Sequence, residues 1–285
     1  MRGGSDISLK ASVGRGAVNL RADVAAVQQA LCARAADLGL AALRTDGIMD
    51  EATMTAIGRY QSFVMRAGSG GRIEPRDAVL RKLADTSTSV LMQERLEARA
   101  TRLNLSGAAW FRANEARFPN SDRISDLSPA FAVQVDAFVA MLRRASATVR
   151  INSTRRSANR AWIMHYAWRI AGGEIRPDAV PVNPQVDIHW DHGDLRASRR
   201  EAQAMVDLFR IRYRPSLVSN HIDGTAVDMT IDWDQAIDVV DASGRTRRID
   251  HPRMGSTNSD LHAVGASYGV RKLVSDPPHW SADGR

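Results

Sequence analysis

The stretch that most constrains the fold is the ten-residue segment 219–228, SNHIDGTAVD. Gly224 marks a tight turn, and the apolar, β-favouring residues on both sides of Asp228 predict a strand that carries this carboxylate away from the turn. His221 precedes Asp228 by seven residues and is expected on the loop before the strand. This spacing differs from the i, i+4 histidine pair that binds a metal from one helix. The segment therefore predicts a site built on a strand and a loop.

A second polar segment, DPPHW at 276–280, follows about fifty residues after Asp228. Imidazole and carboxylate are ordinary zinc ligands, and a catalytic zinc site commonly has three protein ligands and one open position. His221, Asp228 and His279 supply such a set. Asp276 then remains free to act as a base rather than as a ligand.

The two segments together resemble the motifs of the zinc D,D-peptidase family, which includes D-alanyl-D-alanine carboxypeptidases, dipeptidases and phage L-alanoyl-D-glutamate endolysins. The residues that match the family pattern are Ser219, His221, Gly224, Ala226, Asp228, Asp276 and His279. The family also has an arginine upstream, and the segment STRRS at 153–157 places Arg156 at that position, with Arg155 where tyrosine is common. The acid before the last histidine is often glutamate in the family, and the aspartate found here is similar to the endolysin branch.

The resemblance implies a fold and a mechanism. The expected fold is α+β, with a small antiparallel sheet whose strand ends and loops hold Zn2+. Hydrolysis of a peptide bond in a peptidoglycan stem would use Asp276 as the base, and Arg156 would stabilise the oxyanion or hold a substrate carboxylate. Ser219 is expected to orient the His221 loop. Both endopeptidase and carboxypeptidase action stay open, on an L-Ala-D-Glu bond or on a bond that contains D-Ala.

Residues 1–84 contain three predicted helices. The first is capped by Asp23 and runs to about Leu38, the second begins near Glu51 and is ended by the glycine-rich segment 68–71, and the third follows Pro75. This unit resembles the peptidoglycan-binding domain that is appended to wall hydrolases. The matching residues are Asn19, Asp23, Val24, Val27, Gln28, Leu31, Asp46, Gly47, Asp50, Thr53, Ala56, Ile57, Tyr60, Gln61, Gly71, Arg72 and Ile73. A helical extension that only packs on the enzyme is the alternative. Tyr60 and Gln61 are compatible with glycan contact or with a place in the core.

The remaining chain divides into a connecting region and a second domain. Residues 85–126 are predicted as a linker with connecting helices, because 84–89 are small and polar. Residues 127–285 are predicted as the zinc-peptidase domain. In it, the sequence patterns predict a strand at 148–152, a helix at 158–171 and a hairpin at 236–248. A further strand is predicted at 270–274, where it leads into Asp276 and His279. His189 and His192 offer a second possible metal site, although a place in a loop that lines the cleft is favoured.

The basic charge of the chain points to a polyanionic partner. The net charge is +7, from 39 Lys and Arg against 32 Asp and Glu, and the pI is about 10.2. Because no zinc-finger, RNP or helix-turn-helix signature accompanies this charge, an anionic cell wall is favoured over nucleic acid. No run of about eighteen apolar residues predicts a transmembrane helix. Residues 1–6 lack the apolar core of a signal peptide, so we expect cytoplasmic synthesis without a Sec signal.

Together these patterns predict a phage or prophage endolysin, active as a monomer on the cell wall after release. A secreted antibacterial effector is an alternative setting. A catalytically inactive wall-binding or virion structural protein is an alternative from another class, and charge-driven nucleic-acid binding is a third. A serine hydrolase is disfavoured because the sequence lacks a Gly-x-Ser-x-Gly elbow.

Overall fold

The computed structural model describes residues 7–285, and the segment 1–6, on which the prediction about a signal peptide depends, lies outside them. The chain is α+β with small antiparallel sheets, as predicted. It forms two compact units. The first contains the described chain up to Asn114 together with Tyr166–Arg214, and the second contains Glu115–His165 and Pro215–Arg285.

Ten α-helices and eight β-strands occur in the described residues. The helices are α1 (Arg21–Cys32), α2 (Glu51–Arg59), α3 (Ala78–Ala84), α4 (Thr88–Leu103), α5 (Ala108–Asn114), α6 (Pro129–Arg144), α7 (Ala158–Ala171), α8 (Leu195–Phe209), α9 (Asn220–Asp223) and α10 (Ser259–Ser267). The strands are β1 (Val13–Gly14), β2 (Arg72–Ile73), β3 (Thr148–Ser153), β4 (Ala226–Asp232), β5 (Ile237–Val240), β6 (Thr246–Ile249), β7 (Arg271–Lys272) and β8 (His279–Ser281). The helix at 158–171 and the hairpin formed by β5 and β6 agree with the predictions.

The first unit is mainly helical, and a buried polar network joins α4 to the residues before it. Glu94 of α4 accepts hydrogen bonds from the Tyr60 hydroxyl at 2.5 Å and from Arg34 Nε at 2.6 Å. Arg34 and Glu94 are each only 3% exposed. The first unit therefore continues beyond residue 84 through α4 and α5, whereas the sequence predicted a linker with connecting helices from 85 to 126. The charged residues of α4 suggest a solvated helix outside the first unit, but Glu94 of this helix is buried against Arg34 and Tyr60.

Two local predictions in the first unit are wrong. The first helix ends at Cys32 rather than near residue 38, and a series of turns follows it. Asp23 does not cap that helix, because its carboxylate instead accepts the backbone N–H groups of Lys10 and Ala11. Of the two residues with open roles, Tyr60 is fully buried, and Gln61 is buried with its amide bonded to the backbone of Arg72.

The second unit is built on a four-stranded antiparallel sheet in the order β3-β4-β8-β7. Helices α6 and α10 supply much of the core that packs on this sheet. Val227, Met229 and Ile231 of β4 are buried in that core. Because side chains alternate along a strand, Asp228 and Thr230 lie on the opposite face of the sheet. The pattern of one strand therefore fixes which face can carry chemistry.

The structure corrects the predicted positions of two site residues. His221 lies in the single helical turn α9 rather than on a loop. His279 is the first residue of β8, whereas the sequence predicted that it would follow a strand at 270–274. Only Arg271–Lys272 of that stretch is extended in the sheet. Within residues 7–285, no helix combines the length and the apolar character that a membrane crossing requires.

Candidate metal centre

Three polar atoms from three different elements converge in the second unit. His221 Nε2 lies 3.2 Å from Asp228 Oδ1 and 3.2 Å from His279 Nδ1. His279 Nδ1 lies 3.3 Å from Asp228 Oδ1. Among the described residues, these three side chains form the group that can hold a metal ion. The sequence predicted this set.

Strand register explains how Asp228 and His279 meet. The two residues are direct cross-strand partners in the antiparallel pair of β4 and β8. Directly opposed residues place their side chains on the same face of a sheet, with Cβ atoms about 4.5–5.5 Å apart. The same register places Trp280 opposite Val227, and both are fully buried in the core. The alternation of β8 therefore presents His279 at the site while Trp280 anchors the strand.

A capped turn brings His221 to the same place. Ser219 Oγ accepts the backbone N–H of His221 at 3.3 Å, which is the orienting role predicted for Ser219. Gly224 ends the turn with φ of +71°, and a Cβ at this position would lie 2.9 Å from the backbone nitrogen of Ser128. Both the positive φ and the close approach require glycine here. The Gly-containing turn thus sets the path of the chain from α9 into β4.

Hydrogen bonds to backbone oxygens fix the orientation of both imidazole rings. His221 Nδ1 lies 2.6 Å from the carbonyl oxygen of Thr154, and His279 Nε2 lies 3.0 Å from the backbone oxygen of Arg285. Because such an oxygen can only accept, each of these nitrogens carries the proton in the neutral ring. The remaining nitrogens, Nε2 of His221 and Nδ1 of His279, therefore direct lone pairs at one another and at Asp228.

Three hydrogen-bond acceptors, on His221, Asp228 and His279, thus face one another. Burial alone would raise the pKa of Asp228, but a proton on His221 or His279 would supply a hydrogen bond and a positive charge to this carboxylate, and these interactions lower its pKa well below its usual range. His221 is only 4% exposed, and His279 only 7%. Buried acceptors without donors are unfavourable, and a bound cation would compensate them. One proton can satisfy one pair of these atoms, whereas one metal ion can satisfy all three.

The distances agree with a tetrahedral ion. Metal–ligand bonds of about 2.0–2.1 Å at tetrahedral angles require ligand atoms about 3.3 Å apart. The three observed separations are 3.2, 3.2 and 3.3 Å. Two imidazole nitrogens and one carboxylate oxygen also leave a fourth position for water or substrate. By donor type and by spacing, the residues fit a tetrahedral metal ion such as zinc.

Arg156 lies close to this cluster, in the segment that follows the end of β3 at Ser153. Its backbone N–H donates to the carbonyl oxygen of His221 at 3.0 Å, and its Nε donates to Asn120 Oδ1 at 3.2 Å. Burial lowers the pKa of Arg156 below its ordinary value, although the charges of Asp228 and Asp276 oppose this shift. The guanidinium therefore interacts with one carboxylate of the ligand set and with the carboxylate predicted to be the base. Asn120 was not predicted, because its partner is more than thirty residues away in sequence.

Asp276 lies in the turn between β7 and β8 and is outside the group that can hold a metal. The carbonyl oxygen of Asp276 accepts the backbone N–H of His279 at 3.0 Å. Lys272 Nζ donates to the backbone oxygens of Leu273, Asp276 and His279, and so holds this turn together. Burial lowers the pKa of Lys272, and the charges of Asp276 and Asp228 oppose that shift. Lys272 was not predicted, although it is one of only three lysines in an arginine-rich chain.

His189 and His192 belong to the first unit and are not part of the metal group. His189 Nε2 lies 2.8 Å from Ser62 Oγ, and His192 Nε2 lies 3.1 Å from Ser106 Oγ. Burial lowers the pKa of both rings, that of His192 to about 4. Their geometry is that of neutral, hydrogen-bonded structural histidines, and the second possible metal site is not assembled within residues 7–285.

Comparisons of this chain with protein-family models, with curated proteins and with solved structures found no match. The resemblance to zinc D,D-peptidases therefore stays a prediction from the motifs at 219–228 and 276–280.

Proposed function

We propose that this protein is a zinc-dependent peptidoglycan hydrolase that cleaves a peptide bond in the stem peptide. The convergence of three lone pairs from His221, Asp228 and His279 supports this function most strongly. Two imidazoles and a carboxylate with an open fourth position are the donor set of a catalytic zinc rather than of a closed structural site. The resemblance of the surrounding motifs to zinc D,D-peptidases supplies the substrate class.

The mechanism assigns separate tasks to the side chains around the ligands. His221, Asp228 and His279 would hold the zinc ion, which would act as a Lewis acid on a carbonyl oxygen and would make water more acidic. Asp276 takes the proton from the attacking water and delivers it to the leaving amine. Its position outside the ligand set and its interaction with Arg156 suit that role. Arg156, held at Nε by Asn120, stabilises the developing oxyanion or binds a substrate carboxylate.

The first unit is proposed to bind peptidoglycan. Two features support a polyanionic wall as the partner: the resemblance of this unit to wall-binding domains and the net charge of +7 of the whole chain. Gln61 donates to the Arg72 carbonyl at 2.7 Å and accepts the Gly71 N–H at 2.8 Å, and Tyr60 is fully buried. Both residues therefore serve the core, and glycan contacts would come from other side chains. The proposed setting is an endolysin that acts on the cell wall, with a secreted effector as the alternative.

Mass spectrometry of purified muropeptides, incubated with the zinc-loaded protein and with an EDTA-treated sample, tests this function. A product that forms only with zinc is expected, and its mass identifies the bond. Intact muropeptides in both samples, with zinc present in the first, would contradict the proposal. In that case, cosedimentation with sacculi would favour a wall-binding protein, and salt-sensitive binding of DNA would favour a nucleic-acid partner.

A further inference from the structure

The chain after β8 folds back onto one of the metal ligands. The backbone oxygen of Arg285 lies 3.0 Å from His279 Nε2. It also lies 2.9 Å from Asn220 Nδ2 and 3.0 Å from Ser281 Oγ. Three polar side chains, from α9 and from β8, thus converge on a single backbone oxygen. The side chain of Arg285 itself is exposed.

We propose that the backbone oxygen of Arg285 is a positioning group, which holds His279 in the orientation and tautomer required for metal binding. By accepting a hydrogen bond from the Nε2–H group, it keeps the proton on Nε2 and leaves Nδ1 as the lone-pair donor of the ligand set. The carbonyl oxygen of Thr154 does the same for the other histidine, at 2.6 Å from His221 Nδ1. This inference rests on the proposed metal centre and adds a specific role for residues 283–285.

The segment that carries this oxygen is itself held in place. Ser281 is fully buried, and its Oγ accepts the backbone N–H groups of Gly284 at 2.9 Å and Arg285 at 3.1 Å. Asp283 Oδ1 accepts from Asn220 Nδ2 at 2.8 Å. These contacts hold residues 283–285 as a short strap, which places the backbone oxygen of Arg285 against the imidazole of His279. Partners of this kind commonly change metal affinity by about 10- to 100-fold when they are removed.

Because the positioning atom belongs to the backbone, two variants separate it from the side chain. The variant Arg285→Ala keeps the oxygen and removes only an exposed side chain. A chain that ends at Ala282 removes the oxygen but keeps β8 and the hydrogen bond from the Ala282 N–H to the Thr225 carbonyl. Zinc affinity of both variants and of the 285-residue chain would be measured by competition with a chromophoric chelator. Visible absorption of the Co2+-loaded proteins reports the coordination geometry.

We expect the chain that ends at Ala282 to bind zinc roughly 10- to 100-fold more weakly, with altered Co2+ bands, while Arg285→Ala matches the unaltered chain. The melting temperature of the metal-free proteins should be the same for all three, which distinguishes positioning from a general loss of stability. Equal zinc affinity in all three chains would overturn the inference and leave the metal centre intact. Absence of zinc binding by the 285-residue chain would overturn the metal centre and the inference together.

Discussion

Both units bury a cluster of polar side chains, but only one of the two clusters is complete. In the first unit, both carboxylate oxygens of Glu94 face donors, the hydroxyl of Tyr60 and the guanidinium of Arg34. In the second unit, His221, Asp228 and His279 direct only acceptors at one another. Buried polar groups in native proteins are nearly always paired. A complete network therefore indicates a structural role, and an excess of acceptors indicates a site for a cation.

The largest expected effect is on hydrolysis, and it comes from Asp276, which lies outside the three residues of the incomplete cluster. Asp276→Asn removes the proposed base and leaves all three ligands in place. We expect muropeptide hydrolysis to fall by about 10²- to 10⁴-fold, which is the usual contribution of general acid–base catalysis. Zinc content, measured by elemental analysis, should not change. Full hydrolysis by this variant would remove Asp276 from the mechanism, and loss of zinc would make it a ligand.

The complete cluster should respond to an isosteric change as a structural ion pair does. Glu94→Gln leaves the buried guanidinium of Arg34 without its counter-charge, so we expect a loss of about 3–5 kcal/mol in the free energy of unfolding. Urea denaturation measures this loss. Glu97→Gln on the same helix is the matched control, because Glu97 pairs with Lys82 near the surface and such pairs contribute about 0–1 kcal/mol. Similar stability of both variants would contradict a structural role for the Glu94 network.

Acid should weaken the first unit through His192. Its pKa in the folded state is about 4, below the ordinary value of 6.5, because burial disfavours the charged ring. As the pH falls from 6.5 to 4, the unfolded chain takes up this proton first, so the folded state loses up to about 3 kcal/mol of stability across that window. His192→Gln should lose less stability between pH 7 and pH 4 in urea denaturation. An identical pH dependence in both proteins would exclude a neutral, buried His192.

The smallest expected effect is a gain in stability when the incomplete cluster is changed, whereas Glu94→Gln in the complete cluster causes a loss. Asp228→Asn introduces an N–H donor among the lone pairs of the two histidines and removes a charge that the metal needs. At pH 8, the metal-free variant should therefore be more stable than the metal-free parent by about 1 kcal/mol, the usual contribution of one hydrogen bond. Thermal unfolding in EDTA measures this difference. A marked loss of stability, as expected for Glu94→Gln, would make the two clusters alike.

The sequence predicted the three side chains that converge in the second unit and the orienting contact of Ser219, but not the other groups that orient the two histidines. His221, Asp228 and His279 have recognisable chemistry, and the alternating apolar residues around Asp228 indicate its strand. The partners of these ligands are mainly backbone oxygens, such as those of Thr154 and Arg285, which every residue has and which only the fold selects. Side chains such as Asn120 and Lys272 act through contacts that depend on tertiary structure, so no local pattern reveals them.

The extent of the first unit also could not be predicted from local sequence patterns. Helix α4 has many charged residues, which favour a solvated surface, yet Glu94 is buried against Arg34 and Tyr60. The segment Tyr166–Arg214 returns to the same unit after a long separation in sequence. Hydrophobic periodicity predicts individual helices and strands, whereas buried charge pairs and chain returns are decided by long-range packing.

Metal binding by the purified protein tests the central claim most directly. After equilibrium dialysis against zinc and then against metal-free buffer, elemental analysis would compare the unaltered chain with His221→Ala. His251→Ala, which changes an exposed histidine of the same unit, is the control. We predict about one zinc per chain in the unaltered protein and in His251→Ala, and little or none in His221→Ala, because a three-ligand site does not survive the loss of one ligand. Equal zinc content in all three proteins, or none in any, would contradict the assignment of His221, Asp228 and His279 as a metal centre.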